Sequence, residues 1–112
     1  MQDFQAIYDA AIHDARLAAN DYYEKHIKGR PFACDCGFAW VIIKPATSAF
    51  VRWLKSKDIG SKHCYGGWSI WYSEAGSIPG LQNIGVHEAA CYAFSKVLQA
   101  NDINAYSDSR LD

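Results

Sequence analysis

The segment from Gly37 to Lys44 constrains the fold of this chain most strongly, because its six central residues, Phe38 to Ile43, are all apolar. Most of them are aromatic or β-branched, which favours a strand, and Pro45 ends the run. An apolar run without polar alternation is typical of a strand that is buried on both faces. We therefore expect a central strand here, with other elements packed on both sides of it.

Length and composition indicate one folded domain, residues 1–112. Half of the residues are hydrophobic and 14% are aromatic, which is enough for a substantial core. The segment after Met1 lacks the basic and apolar regions of a signal peptide, and no apolar run approaches the roughly 20 residues that span a bilayer. We expect a protein of the cytoplasm that does not bind membranes.

The charges are distributed unevenly along the chain. The formal net charge is −1, which argues against binding nucleic acid through overall charge. However, residues 25–62 contain eight basic and only two acidic residues. This segment could form a basic face for an anionic partner, or it could be an ordinary solvated surface.

The first helix is predicted over residues 4–27, with Asp3 as its N-cap, because apolar residues recur there every three or four positions. Gly29 and Pro31 are expected to end this N-terminal region, residues 1–30. The elements after it are predicted from apolar periodicity and turn residues. They are a helix from Thr47 or Ser48 to about Lys55, a hairpin over 62–72 with its turn at Gly66-Gly67, an irregular solvent-facing loop over 74–81, a helix over 82–100, a strand over 103–106 and a polar tail over 107–112.

The order of elements after the first helix is β-α-β-β-α-β. This order predicts an α+β fold of the ferredoxin-like type, an α/β sandwich over residues 36–112 with two helices on one face of a four-stranded antiparallel sheet. The N-terminal helix is then additional, and we expect it to cover the other face of the sheet. If it lies elsewhere, the uncovered apolar face becomes an interface for a second copy or a partner.

Several short motifs stand out along the chain, namely Gly37-Phe38-Ala39-Trp40-Val41, Lys44-Pro45-Ala46-Thr47-Ser48 with Phe50, Arg52-Trp53-Leu54-Lys55, Tyr65-Gly66-Gly67 with Ile70-Trp71, and Ala105-Tyr106 with Ser109-Arg110-Leu111-Asp112. With these motifs the chain resembles a family of small uncharacterised proteins of bacteriophages and prophages. The resemblance covers about Cys36 to Asp112. It implies a viral or prophage origin and a role in a bacterial host, and it implies no catalytic residues.

Metal binding and catalysis are not favoured by the residue spacing. The candidate ligands are Cys34 with Cys36, His63 with Cys64, and His87 with Cys91. The chain lacks the paired Cys-x2–4-Cys spacing of common zinc sites, so no metal or other cofactor is expected. We interpret Cys91 as a small core residue and His87 as a surface residue. No motif with a nameable catalytic mechanism is present, so we expect a non-enzymatic protein.

Aromatic and basic residues supply the candidate binding site, since Trp, Tyr and Arg anchor protein interfaces and also contact bases and phosphates. The candidates are Arg52, Trp53, Lys55, Tyr65, Trp71, Tyr106 and Arg110. Each aromatic could instead fill the core. We expect a phage-type protein that modulates a host process or defence by binding a host protein or sequestering a small anionic, nucleotide-like ligand, and that forms a homo-oligomer. The alternative is a single-stranded nucleic-acid-binding protein that uses the basic segment 25–62.

Overall fold

The fold combines four helices with a four-stranded antiparallel sheet, in a computed structural model that describes residues 2–30 and 35–112. The α+β class predicted from the sequence is therefore confirmed. The predicted end of the first helix at Pro31 and the pairing of Cys34 with Cys36 involve residues outside this description. The elements are α1 (Phe4–Tyr22), which continues as a π-helical turn (Tyr23–Ile27), β1 (Gly37–Ile43), α2 (Ala49–Ser56), β2 (Ser61–Lys62), β3 (Trp68–Trp71), α3 (Tyr72–Ala75), α4 (Ile84–Ala100) and β4 (Ala105–Leu111).

The three long helices begin at polar N-cap residues, because a side-chain oxygen at that position satisfies one of the unpaired N–H groups of the first turn. Asp3 accepts from the N–H of Ala6 at 3.0 Å. Ser48 does the same for α2, and Asn83 accepts from the N–H of Val86 at 3.1 Å. Asp3 and Ser48 confirm the predicted starts of the first two helices. Within the described ranges, no helix is long and apolar enough to cross a membrane.

The strand order in the sheet is β2-β3-β1-β4, and every neighbouring pair is antiparallel. The central position of β1 agrees with its apolar sequence. Its alternate residues Gly37, Ala39, Val41 and Ile43 are buried against the helices, where α4 packs on β1 and β4. At Gly37 the approach is so close that a Cβ atom would meet the side chain of Ile84 and the carbonyl oxygen of Arg110.

The first helix packs on α4 and does not cover the second face of the sheet. The expectation of a helix on both sides of β1 is therefore wrong. The contact with α4 buries the alanine stripe of α1, since Ala11, Ala15 and Ala19 are fully buried and their small side chains allow the two helices to approach closely. At its N-terminal end α1 also reaches α2, where the ring of Phe4 lies 5.4 Å from that of Phe50. All helices thus lie on one side of the sheet.

Two predicted boundaries and one predicted loop need correction. The supposed polar tail after Tyr106 is part of β4, which pairs with the whole length of β1 from Ile43↔Ala105 to Gly37↔Leu111. Its serines and charged residues suit an edge strand, which is largely solvated. The hairpin turn is longer than two residues and runs from His63 to Gly67, closed by the N–H of His63 bonding to the carbonyl of Gly67 at 3.1 Å. The loop after β3 is not wholly solvent-facing, because residues 75–77 are buried.

Candidate functional site

The side of the sheet opposite the helices is lined mainly by aromatic and charged residues, and we call it the open face. The register places the following residues there, on three neighbouring strands: Phe38, Trp40 and Ile42 of β1, Ser69 and Trp71 of β3, and Tyr106, Asp108 and Arg110 of β4. Phe38 and Trp40 are only half-buried, and Trp71 is 39% exposed. None of the described helices packs against this face.

Trp40 and Trp71 form the centre of the open face. They are register partners on β1 and β3, and their rings stack with centroids 5.6 Å apart and planes inclined by only 4°. The main-chain hydrogen bonds of even-numbered β1 residues point to β4, as the bond from the Lys44 N–H to the Asn104 carbonyl shows. Trp40 and Trp71 are therefore a non-hydrogen-bonded pair, in which side chains approach most closely.

Rings extend the tryptophan pair in both directions. Phe38 lies 5.5 Å from Trp71, and His63 in the hairpin turn lies 6.4 Å from Trp40. Tyr65, at 87% exposure, lies 5.9 Å from His63, and its N–H donates to the Nδ1 atom of that histidine at 3.3 Å. The open face thus carries a continuous row of five rings, from β1 to the tip of the hairpin.

Two cations rest on rings of the open face. The Arg110 guanidinium lies 5.8 Å from the ring of Phe38, and the Lys44 ammonium lies 5.7 Å from the ring of Tyr106. Both distances allow a cation–π attraction. Since Phe38 and Tyr106 lie near opposite ends of the β1–β4 pair, the two cations do not converge on one point. The carboxylate of Asp108 lies between them in β4.

The other three candidates from the sequence lie on α2, away from the open face. Arg52 is exposed, and Trp53 packs among the rings of Phe4, Tyr8 and Phe50. The Lys55 ammonium lies 5.0 Å from the ring of Trp68. Four of the seven candidates, Tyr65, Trp71, Tyr106 and Arg110, therefore belong to one surface, and Arg52, Trp53 and Lys55 do not.

The basic segment 25–62 does not form one continuous basic face. Lys25 pairs with Asp21 at 3.1 Å, and Lys28 pairs with Glu24 at 3.2 Å. Lys57 lies over the ring of Trp53 on α2. Since α2 is on the helical side and Lys44 is on the open face, the positive charges of this segment are distributed over both sides of the sheet.

His87 is fully buried, contrary to its interpretation as a surface residue. Its Nδ1 atom lies 2.6 Å from the Ser77 hydroxyl oxygen, and its ring stacks on that of Tyr72 at 3.7 Å. Burial lowers the pKa of His87, and the backbone of Leu81 opposes part of this shift. The Nε2 atom has no hydrogen-bond partner among the described residues. These contacts fix the loop between α3 and α4 onto the core.

Cys91 lies one helical turn from His87 and is also fully buried, as predicted for a core residue. Burial raises the pKa of its thiol to about 12, so it is not a nucleophile at neutral pH. Within residues 2–30 and 35–112, no group of three His, Cys, Asp or Glu side chains could hold a metal ion.

Sequence reasoning did not include several members of the open face among its candidates, among them Phe38, Trp40, Lys44, His63 and Asp108. A signal for the first two was present, because the odd positions of β1 are small or aliphatic and two of its even positions are large aromatics. Large aromatics that alternate with small residues indicate that the two faces of a strand have different neighbours. No signal was available for Asp108, because its segment was interpreted as a tail.

No protein-family model, no curated protein and no solved structure matches this chain. The contacts and charges of the site therefore carry the functional argument.

Proposed function

We propose that this protein is a non-enzymatic binding protein whose open face docks a protein partner. The observation that carries the proposal is the stacked, partly exposed pair Trp40 and Trp71 on a sheet face that no described helix covers. The resemblance to small phage and prophage proteins suggests that the partner is a protein of a bacterial host, met in its cytoplasm. The strand order β2-β3-β1-β4 supports assigning the fold to the ferredoxin-like type.

The composition of the open face supports its use as a protein interface. Trp, Tyr and Arg are the residues that most often contribute a large share of binding energy, and all three occur here, in Trp71, Tyr106 and Arg110. The side chains are held in place before any partner arrives, because each ring of the row contacts another ring. Pre-arranged side chains lose less conformational entropy on binding.

The same geometry gives less support to an anionic ligand or to single-stranded nucleic acid. Bases bind aromatic residues by stacking on a free ring face, whereas Trp40 and Trp71 each cover one face of the other. Arg110 and Lys44 lie too far apart to grip one phosphate together, and Asp108 would repel a phosphate between them.

The test is capture of partners from a bacterial host lysate by three forms of the protein, analysed by native mass spectrometry. The wild-type chain is compared with Trp71→Ala and with Leu17→Ala, which removes an exposed apolar side chain from α1. We expect a protein that is retained by wild type and Leu17→Ala and lost with Trp71→Ala. Capture that is equal with all three forms, or no captured protein, would refute the proposal.

Two further outcomes distinguish other occupants of the open face. A doubled mass that persists on dilution and disappears with Trp71→Ala would assign the face to a second copy of this chain. Binding that weakens steeply as salt rises would indicate phosphate contacts and favour nucleic acid, since an interface anchored by Trp and Tyr is much less sensitive to salt.

A further inference from the structure

The outer edge of β4 offers main-chain groups for pairing with another strand. In the β1–β4 pair the even-numbered residues bond to each other, as shown by the bonds from the Asp112 N–H to the Cys36 carbonyl and from the Lys44 N–H to the Asn104 carbonyl. The N–H and C=O groups of the odd-numbered β4 residues therefore point away from β1. Because β4 is the last strand of the sheet, these groups face outward at its edge.

Side chains cap two of these outward groups. The Gln99 amide donates to the carbonyl oxygen of Ala105 at 2.7 Å, and the N–H of Ser109 donates to the carboxylate of its neighbour Asp108 at 2.8 Å. Between the two caps lies Ser107, whose N–H and C=O both point outward by the register. Ser107 thus offers both of its outward groups between the two caps, and we call this part of the edge the window.

A groove of about 440 Å³ runs beside this window. Its floor and near wall are residues 107–109 of β4, and its far wall is the face of α4 that carries Glu88, Ala89 and Tyr92. Tyr22 of α1 closes one end, where its ring lies against Gly85 so tightly that a Cβ atom there would overlap the ring. The groove therefore presents main-chain groups of β4 on one side and the rings of Tyr22 and Tyr92 on the other.

The charges of the groove lining are negative. Glu88 and Asp108 are the charged residues among those that line it, and both are carboxylates. Glu88 is held in place by the hydroxyl of Ser109, which donates to its Oε2 atom at 2.6 Å.

We propose that this edge and groove bind an extended peptide segment of a partner protein, with one Lys or Arg side chain seated against the carboxylate of Glu88. The segment adds a strand to β4 through the N–H and C=O groups of Ser107, which is the way many peptide-binding domains recognise extended ligands. The groove lies beside α4 on the helical side of β4, so this site differs from the open face, with which it shares Asp108.

The test is selection of binders from a random ten-residue peptide display library, followed by measurement of the dissociation constant of the enriched peptides for variants. Ser107→Pro removes the outward N–H and leaves the β1–β4 hydrogen bonds intact, because proline is tolerated where the N–H of an edge strand faces solvent. Ser107→Ala is its matched control, since it keeps the main chain and removes only the hydroxyl. Glu88→Gln tests the charge at nearly constant shape.

We expect enriched peptides to contain a basic residue at a fixed position. Ser107→Pro should weaken their binding roughly tenfold, and Ser107→Ala less than about threefold, as the loss of a main-chain hydrogen bond predicts. Glu88→Gln should weaken peptides with the basic residue and leave their alanine versions unchanged. Failure to enrich peptides, enriched peptides without a basic residue, or equal binding to both Ser107 variants would overturn the proposal. Amide hydrogen exchange of Val41 and Ile43 confirms that each variant keeps its sheet.

Discussion

Trp40 and Trp71 stack in parallel across two strands, yet they differ in exposure and in their contribution to the molecule. Trp40 lies on the central strand, and its indole N–H is covered without an acceptor among the described residues. Trp71 lies on β3 and is 39% exposed. Trp40 therefore contributes mainly to the fold, and Trp71 presents the pair to solvent.

This difference predicts unequal costs of truncation. Trp71→Ala should lower the free energy of unfolding by about 1 kcal/mol, and Trp40→Ala by about 3 kcal/mol, because the second change removes more buried surface. Trp40→Phe should cost less than about 1 kcal/mol, since it keeps a ring and removes an unpaired buried donor. Urea unfolding measures all three, and equal costs for the two alanine variants would contradict the assignment.

The buried His87 predicts that stability falls in acid. Its pKa is lower in the folded protein than the ordinary value of about 6.5, so below about pH 6.5 the unfolded chain binds a proton that the folded chain does not. The contribution of neutral His87 to stability is present above this pH and is lost as the pH falls toward the lower folded-state pKa. His87 contributes at most about 1.4 kcal/mol per pH unit to the slope of the free energy of unfolding against pH.

The comparison that isolates this effect uses His87→Phe, which keeps a flat ring beside Tyr72 and cannot titrate. We expect the wild-type chain to lose more stability than this variant in urea unfolding between about pH 7.5 and pH 5. His13→Gln, at an exposed position of α1, should behave as wild type. Parallel pH curves for wild type and His87→Phe would show that His87 is not held neutral by burial.

Cys64 and Cys91 are the most and the least exposed of the described cysteines, and their thiols should differ in reactivity. Cys64 is exposed in the hairpin turn, whereas Cys91 is buried and its pKa is raised to about 12. Iodoacetamide should therefore modify Cys64 at least about a hundredfold faster than Cys91 in the folded protein. Peptide mapping after timed alkylation measures both rates, and in urea they should become similar. Rapid modification of Cys91 without denaturant would contradict its burial.

The close contact at Gly37 predicts that even the smallest side chain is costly there. Gly37→Ala should lower the free energy of unfolding by about 1 to 3 kcal/mol, because the added methyl group meets the Arg110 carbonyl and the Ile84 side chain. The double variant Gly37→Ala with Ile84→Ala should relieve only the contact with the side chain of residue 84, because the contact with the Arg110 carbonyl remains. A neutral effect of Gly37→Ala in thermal unfolding would mean that β4 and α4 can shift without penalty.

The helices and the central strand could be predicted because their signals are local. Polar caps at Asp3 and Ser48 and the apolar run after Gly37 identify these elements without knowledge of their neighbours. The position of α1 could not be predicted in the same way. Its alanine stripe can pack against either a sheet or a helix. The matching surface of α4 decides that α1 packs on a helix.

Part of the candidate site was predictable, and the missing part depends on pairing between strands. Trp71, Tyr106 and Arg110 were identified by residue type alone. Asp108 gains its position only because β4 continues past Tyr106, which follows from hydrogen bonds to β1 and not from the polar sequence of β4. His87 was misassigned because its partner Ser77 lies in a loop whose burial has no periodic pattern.

The two caps on the outer edge of β4 also limit how this protein can assemble. An uncapped edge strand of seven residues would offer a second copy a pairing surface along its whole length, as in edge-to-edge aggregation. With the Ala105 carbonyl and the Ser109 N–H already occupied, a neighbouring chain can form only a few bonds around Ser107. The molecule thereby accepts a short guest strand while resisting full-length pairing of two copies through the same edge.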